Sequence, residues 1–191
     1  TAQDSHLVND MLIHPASRGR LRRNPRRNRD TERGLLMVVC LDLATSAGTI
    51  RLRNDDPHVQ PLIDYDYLRS EFDRSRMREG VRICLELAKH ESWKSLVTER
   101  VVPDDSDLES DDALDRWLLR WAQTSHHSSG TCKMGPETDP MSVVDPTGRV
   151  YGIDGLRVVD ASIMPDCTRA NTNATSIMIG ERVADLIREG Q

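Results

Sequence analysis

The sequence has few aromatic residues, which account for only 4% of its 191 residues. Proteins that bind single-stranded nucleic acid stack bases on aromatic side chains, so this scarcity and the net charge of -5 argue against nucleic-acid binding. No apolar run approaches the roughly 20 residues that span a membrane. The first residues lack the basic and apolar regions of a signal peptide and do not begin with Met, which favours an internal piece of a longer chain.

The four cysteines lie far apart, and none belongs to a C-x-x-C motif. Such spacing is typical of reduced, buried thiols rather than of disulfides or a metal site. We therefore predict no metal site and a reducing compartment, the cytoplasm. The four thiols are those of Cys40, Cys84, Cys132 and Cys167.

The segment from Arg18 to Arg33 is densely basic and is interrupted by Pro25. It predicts a loop that faces solvent or a partner. Clustered arginines also bind polyanions, so an anionic membrane surface or an acidic redox partner remains open as an alternative for this segment.

The first half of the sequence predicts an antiparallel sheet. An apolar run at 34–43 indicates a buried strand, and the alternation at 49–53 indicates a half-buried one. The two are separated by a short turn that contains Gly48, which favours their pairing. A further short strand is predicted within 61–68, after Asp and Pro residues that end the preceding strand.

Three helices and a late strand follow. Residues 70–90 have apolar residues along one helical face, and Asp111 with Asp112 is expected to cap a second helix. The segment 156–162 predicts a strand, and 174–190 a C-terminal helix that stops at a glycine. The apolar positions of the three helices are Phe72, Met77, Val81, Ile83, Cys84, Leu87, Ala88, Leu114, Trp117, Leu118, Trp121, Ile177, Ile179, Val183, Ala184 and Ile187.

Polar chemistry is concentrated after residue 124. His127 is a candidate general base, because histidine titrates near neutral pH, and small residues follow it. His126 is expected to point the other way on an extended backbone. The neighbouring serines lack the G-x-S-x-G motif of a hydrolase, and His126, His127 and Cys132 lack a familiar zinc spacing.

Two asparagines, Asn171 and Asn173, come just before the last predicted helix. At least one of them is expected to act as its N-cap. The free N–H groups at such a helix start suit a negatively charged ligand atom. Asp160 and Ala161, at the end of the predicted strand, occupy a position that commonly contacts a cofactor in open α/β sheets.

Three blocks resemble the C-terminal signature of the glucose–methanol–choline (GMC) flavin oxidoreductases, and of the alcohol and choline dehydrogenases in particular. They are HSSGTCKMG at 127–135, VVDPTGRVYGIDGLRVVDASIMP at 143–165 and NTNATSIMIGERVADLI at 171–187. Upstream, 45–68 resembles the strand pair of the family's substrate domain. The blocks occur in the family's order and spacing.

The resemblance implies an FAD-dependent enzyme that oxidises a small alcohol by hydride transfer to the flavin. His127 matches the family's active-site histidine and would be the general base. Asn173 matches the second active-site position and would orient the substrate oxygen, with Asn171 as a cap or loop-fixing partner. The remaining cofactor positions are Asp160 and Ala161, near the ribityl and pyrophosphate region, and Asn173, Ala174 and Thr175, near the flavin pyrimidine.

The family's G-x-G-x-x-G fingerprint is absent from these residues. We therefore expect an α+β fold: a partial substrate-binding domain at 1–127 on an antiparallel sheet with helices, and a segment at 128–191. This segment returns to an α/β FAD-binding domain whose N-terminal part is absent. The same or another chain would supply that part. The alternatives are a non-catalytic fragment or accessory subunit, and non-redox chemistry such as a lyase reaction; the alcohol and the electron acceptor stay open.

Overall fold

The computed structural model describes residues 10–18 and 34–191. The chain forms two compact units. The first comprises the described residues up to Leu41 together with Thr45–Ala47 and Asp66–Ala122, and the second comprises Asp42–Ala44, Gly48–Tyr65 and Gln123–Gln191. Residues 19–33, which make up the rest of the basic segment after Arg18, lie outside the described residues. The loop and the polyanion binding predicted for this segment therefore stay predictions.

Unit 1 contains a two-stranded antiparallel sheet. Strand β1, Met11–Arg18, pairs with β2, Gly34–Leu41, so that Met11 lies opposite Leu41. The strand predicted at 34–43 is confirmed, but its expected pairing with 49–53 is wrong. Strand β1 escaped sequence analysis because Pro15 lacks an N–H donor and argues against a central strand, yet an edge strand of a two-stranded sheet tolerates it.

Helix α1, Glu71–Ala88, confirms the helix predicted at 70–90. Ser70 caps it, since its side chain accepts a hydrogen bond from the N–H of Phe72 at 3.2 Å. The predicted apolar face is only partly buried: Val81 and Cys84 are buried, Met77, Ile83 and Ala88 are half-buried, and Phe72 and Leu87 are exposed.

Three charged residues of α1 are buried, although charged side chains are usually exposed: Asp73, Arg76 and Arg78. Arg76 pairs with Asp10 in the interior and lies 4.6 Å from the centre of the Phe72 ring. Arg78 bonds both carboxylate oxygens of Asp115 at 2.8 Å. A buried charge is tolerated when an opposite charge or several donors compensate the lost hydration.

Helix α2, Asp111–Trp121, begins after Ser110, whose hydroxyl accepts from the N–H of Ala113 at 3.1 Å. The expected cap at Asp111 and Asp112 is therefore wrong. Both carboxylates lie in the first turn instead, where they favour the positive end of the helix dipole. The core of unit 1 consists of Leu68, Val81, Leu114 and Leu118.

Unit 2 contains a second antiparallel pair, β3 at Thr49–Arg51 and β4 at Leu62–Asp64. These confirm the predicted short strands, each shorter than expected. The strand predicted at 156–162 is reduced to one β-bridge between Arg149 and Arg157. It ends early because the chain turns into a short 3-10 helix at Ala161–Ile163.

Helix α3, Asn173–Arg188, confirms the predicted C-terminal helix. Its buried residues Ile179, Val183 and Leu186 follow helical spacing. Ile177 and Ile187, which were predicted on the apolar face, are exposed instead. The core of unit 2 consists of Val144, Ile163, Met164, Ile179 and Val183.

Small antiparallel sheets and helices together confirm the α+β fold class. Two more 3-10 helices occur at Glu91–Trp93 and Asp105–Leu108. The four cysteines lie in the described part of the chain and are free thiols. Their expected burial holds only for Cys84, since Cys40 and Cys132 are half-buried and Cys167 is exposed. No helix of that part is both long and apolar enough to cross a membrane.

Candidate active site

The site lies within unit 2 and begins with the turn that presents His127. His126 adopts a left-handed backbone conformation, with φ of 65°, and its N–H donates to Thr124 Oγ1 at 2.9 Å. Histidine is one of the few residue types enriched in this conformation. The bend leaves His126 exposed and His127 half-buried, so the two rings have different surroundings. The extended backbone expected at His126 is wrong, because its φ lies in the left-handed region.

The ring of His127 lies against Thr172, which is 45 residues away in the sequence. Nδ1 lies 3.1 Å from the Thr172 hydroxyl oxygen and 3.4 Å from its peptide nitrogen. The hydroxyl can donate or accept, whereas the peptide N–H can only donate. The contact fixes one nitrogen of the ring.

A hydrogen-bonded ladder joins the loop after His127 to the turn after Asp160. Gly130 N–H donates to Ala161 O at 3.2 Å. Further along, Cys132 donates to Ser162 O at 2.8 Å and Met134 to Ile163 O at 2.9 Å. The ladder brings together the first two sequence blocks that resemble the flavin oxidoreductases.

Asp160 serves the local backbone. Its Oδ1 accepts from the N–H of Ser162 at 2.7 Å and caps the 3-10 helix. The hydrogen bonds from Ser162 lower the pKa of Asp160, despite an opposing effect of burial. Asp160 is exposed and Ala161 is half-buried, so both are accessible beside the ladder.

The start of α3 carries the other predicted cofactor residues. Asn171, Asn173 and Ala174 are exposed, and Thr175 is half-buried. Neither asparagine is the N-cap, contrary to expectation: Thr172 holds that position, without a side-chain cap bond. The difference arises because Asn173 already belongs to the helix. The first-turn N–H groups therefore keep their capacity to bind a negatively charged atom.

A turn centred on Asp145 follows a core segment of unit 2 and is held by hydrogen bonds to its carboxylate. Asp145 Oδ1 accepts three hydrogen bonds, from Thr147 N at 2.8 Å, Thr147 Oγ1 at 2.7 Å and Arg149 N at 2.9 Å. Burial alone would raise the pKa of Asp145, but these bonds outweigh it and lower the pKa. The turn follows Val144, which is fully buried in the unit 2 core.

Thr172 is the residue that sequence analysis missed. Its signal was present, since a threonine between two asparagines before a helix is itself a good N-cap candidate. The spacing along the chain gave no reason to connect it with His127. Among the described residues, no group of three histidine, cysteine or acidic side chains comes together as metal ligands.

The geometry joins all three sequence blocks, and a comparison with known families agrees with it. The sequence profile of the GMC oxidoreductases matches residues 44–180. The chain belongs to the GMC oxidoreductase family. The predicted resemblance is confirmed, and His127, Asp160 and Asn173 lie within the matched range.

Among curated proteins, the chain is similar to oxygen-dependent choline dehydrogenase of Escherichia coli O139:H28. The two are 44% identical over 143 residues, which cover 75% of this chain and 25% of that protein. The chain thus spans about a quarter of the length of the curated relatives it matches.

Solved structures of GMC oxidoreductases share the fold. Formate oxidase from Aspergillus oryzae RIB40, studied for its FAD modification, gives a TM-score of 0.78 at 33% identity, over 86% of this chain and 29% of that one. Pyridoxine 4-oxidase from Mesorbium loti gives 0.75 at 29% identity, over 81% of this chain and 30% of that one. The expectation of a flavin-binding family is confirmed.

Proposed function

We propose that this chain is the C-terminal part of an FAD-dependent oxidoreductase that oxidises the CH–OH group of a small alcohol. The relatives named above as a choline dehydrogenase and as oxidases support this reaction class. One observation carries the proposal: the ring of His127 is held 3.1 Å from Thr172 at the start of α3. The candidate base thus lies beside a helix start that suits a negatively charged ligand.

The described residues fit the cofactor. The start of α3 has no side-chain cap, and the exposed positions there would receive the flavin pyrimidine. Asn171 would fix the preceding loop. Asp160 and Ala161 would contact the ribityl and pyrophosphate region. When bound, FAD would supply an acceptor for a hydride, that is, for one proton together with two electrons. The residues that would lie near the pyrimidine are Asn173, Ala174 and Thr175.

His127 acts as the general base in this proposal. Its imidazole takes the proton of the alcohol hydroxyl, while the hydrogen on the carbon that bears this hydroxyl leaves as hydride and the C–O bond becomes a carbonyl. Asn173 donates a hydrogen bond from its carboxamide to the substrate oxygen and orients it. Both asparagines near the site are exposed, and Asn173 is the first residue of α3, so its amide is accessible to a small molecule.

The missing partner is the N-terminal FAD-binding portion. The chain covers 25% of the relative's length. Ile177 and Ile187 lie on the same side of helix α3 and are 59% and 54% exposed. Apolar residues of this kind suit a face that a further domain covers. An accessory subunit would use the same face with a separate chain.

The compartment remains proposed to be the reducing cytoplasm, which the four thiols support.

The test is a visible absorption spectrum of the chain alone and of the chain joined to an N-terminal FAD-binding portion. We expect a flavin spectrum only in the joined protein, bleached by an alcohol without air. If the joined protein holds flavin but no alcohol bleaches it, the accessory or non-redox alternatives replace alcohol oxidation. If it holds no flavin, the proposed cofactor role of unit 2 is wrong.

A further inference from the structure

We propose that the hydroxyl of Thr172 is a proton relay between the alcohol and Nδ1 of His127. Its oxygen receives the proton of the alcohol hydroxyl while its own proton passes to the ring. This inference rests on the general-base role proposed above, and it names the ring atom and the path by which that base would work. It assigns a chemical role to the residue that lies between the two asparagines.

The contacts of the ring decide which nitrogen of neutral His127 carries the proton. The peptide N–H of Thr172 lies 3.4 Å from Nδ1 and can only donate. The Thr172 hydroxyl lies 3.1 Å from Nδ1 and can donate as well, since it makes no cap bond to α3. Two donors at one nitrogen favour the form in which that nitrogen has no proton. Neutral His127 therefore carries its proton on Nε2 and accepts hydrogen bonds at Nδ1.

A ring in this form can take a further proton only at Nδ1. Nε2 already carries a proton, and Nδ1 has a single lone pair in the plane of the ring. The hydroxyl and the peptide N–H of Thr172 occupy that lone pair. While these contacts hold, an alcohol cannot bond Nδ1 directly, so its proton has to arrive through one of the two groups.

Of these two groups, only the hydroxyl can pass a proton on. A peptide nitrogen has no lone pair to receive one, because its electrons are delocalised over the peptide bond. A hydroxyl oxygen has two lone pairs beside its own proton, so it can accept from the alcohol while it donates to the ring. Thr172 is half-buried, and the next residue, Asn173, is exposed and would hold the alcohol oxygen. The relay thus lies one residue along the chain from the group that orients the substrate.

The first turn of α3 holds the relay residue in place, because the carbonyl oxygen of Thr172 accepts from both the N–H and the hydroxyl of Ser176, each at 2.9 Å. In the step, the O–H bond of the alcohol breaks and its proton bonds to Thr172 Oγ1. The proton that Thr172 held moves to Nδ1, so that the ring becomes a cation with a proton on each nitrogen. The hydrogen on the alcohol carbon leaves with two electrons as hydride to the flavin, and the C–O bond becomes a carbonyl.

The first test is nitrogen NMR of the chain labelled with ¹⁵N-histidine, at a pH where the ring of His127 is neutral. Loss of one ring's signals in His127→Asn assigns the resonances. We expect the unprotonated, pyridine-type shift at Nδ1 and the protonated, pyrrole-type shift at Nε2. Thr172→Val should keep this tautomer, because the peptide N–H still donates to Nδ1. The measurement needs neither flavin nor turnover.

The second test is the rate of flavin reduction by an alcohol in the chain joined to an N-terminal FAD-binding portion. Thr172→Val keeps the shape of the side chain but has no proton to pass, and should lower this rate roughly 10- to 100-fold, part of the usual contribution of proton transfer. Thr172→Ser keeps the hydroxyl and should recover most of the rate. Thr168→Val is the control and should leave the rate unchanged, because that half-buried hydroxyl donates to Ala170 O at 2.8 Å.

A wild-type ring with its proton on Nδ1 overturns the relay, and so does a wild-type rate in Thr172→Val. A rate in Thr172→Ser as low as that of Thr172→Val also overturns it, because the serine hydroxyl can pass a proton. If the wild-type joined protein holds flavin that no alcohol reduces, the proposed function fails and the relay fails with it. A neutral ring protonated on Nε2 would then show that the contact with Thr172 exists without the reaction, which separates the two failures.

Discussion

Gly80 of helix α1 lies directly against Val39 of strand β2. A Cβ atom added at Gly80 would lie 2.5 Å from Val39 Cγ1, closer than carbon atoms approach in proteins. The helix therefore approaches the strand at this point because Gly80 has no side chain. In the sequence this glycine only weakens a helix prediction, whereas in the structure it lets the helix contact the sheet.

We expect Gly80→Ala to destabilise the chain by roughly 1–3 kcal/mol, the usual range for overpacking, although alanine is the better helix former. Gly180 is the matched control: it lies within α3, and an added Cβ there has no atom within 4 Å. Gly180→Ala should therefore stabilise by about 0.5–1 kcal/mol. Urea unfolding measures both. Combining Gly80→Ala with Val39→Ala should cost less than the sum of the two single changes, and strict additivity would contradict the contact.

A second glycine pair separates backbone strain from steric contact. Gly148 and Gly152 both have positive φ, at 80° and 76°, but an added Cβ would lie 2.8 Å from Val158 O only at Gly148. Both alanine variants should lose roughly 1–2 kcal/mol from the left-handed backbone. Gly148→Ala should lose clearly more, because a backbone oxygen cannot move aside as a flexible side chain can. Equal unfolding midpoints would show that the contact at Val158 relaxes at no cost.

Asp73 should make the free energy of unfolding depend on pH in the acidic range. Its buried carboxylate accepts from the N–H and the hydroxyl of Thr45, each at 2.9 Å, and from the N–H of Ser46 at 2.8 Å. Burial alone would raise its pKa, but these bonds outweigh burial and lower the pKa below the ordinary 3.8. The carboxylate thus stabilises the fold fully above pH 3.8, and this contribution is lost as pH falls through the lowered pKa.

We therefore expect Asp73→Asn to lower the free energy of unfolding by about 2 kcal/mol near pH 7, since bonds to a charged acceptor are the stronger ones. The variant should also lose part of the fall in stability between about pH 5 and pH 2. Urea midpoints across this range measure both effects. Asp154→Asn, a change at an exposed loop carboxylate, is the control. A variant with the wild-type acid slope would exclude Asp73 as the source.

In a flavin-loaded protein, His127→Ala should lower the rate of flavin reduction by roughly two to four orders of magnitude, the usual contribution of a general base. Stopped-flow absorbance measures this rate. The control is His126→Asn, which removes the neighbouring imidazole and keeps a residue that tolerates the left-handed backbone. A normal rate in His127→Ala and a slow one in His126→Asn would reassign the base to His126.

Sequence patterns predicted individual helices and strands better than they predicted which strands pair. The strand at 34–43 and the helices α1 and α3 followed from local periodicity, which depends on neighbouring residues alone. The partner of β2 did not, because pairing depends on contacts between distant segments and β1 contains Pro15. The buried Arg76 and Asp73 were missed for a related reason: their compensating partners, Asp10 and Thr45, are visible only in three dimensions.

The candidate site followed from motifs rather than from periodicity. Sequence analysis singled out His127, Asp160 and Asn173, and the structure joins their three blocks through the contact with Thr172 and the ladder at Gly130. The caps were predicted less well, because several polar residues before a helix compete for one position and their order alone does not decide it. The roles of these residues stay predictions until the kinetic variants are measured.

The ladder between Gly130 and Ala161 also bears on the order in which the chain folds. Without it, bringing His127 to Thr172 closes a loop of 45 residues. Once Gly130 is bonded to Ala161, the chain that remains to be closed is about 14 residues, which lowers the entropic cost by about 1 kcal/mol. The histidine is thus expected to reach its partner after the ladder has formed, so the scaffold of the site forms before the candidate base is in place.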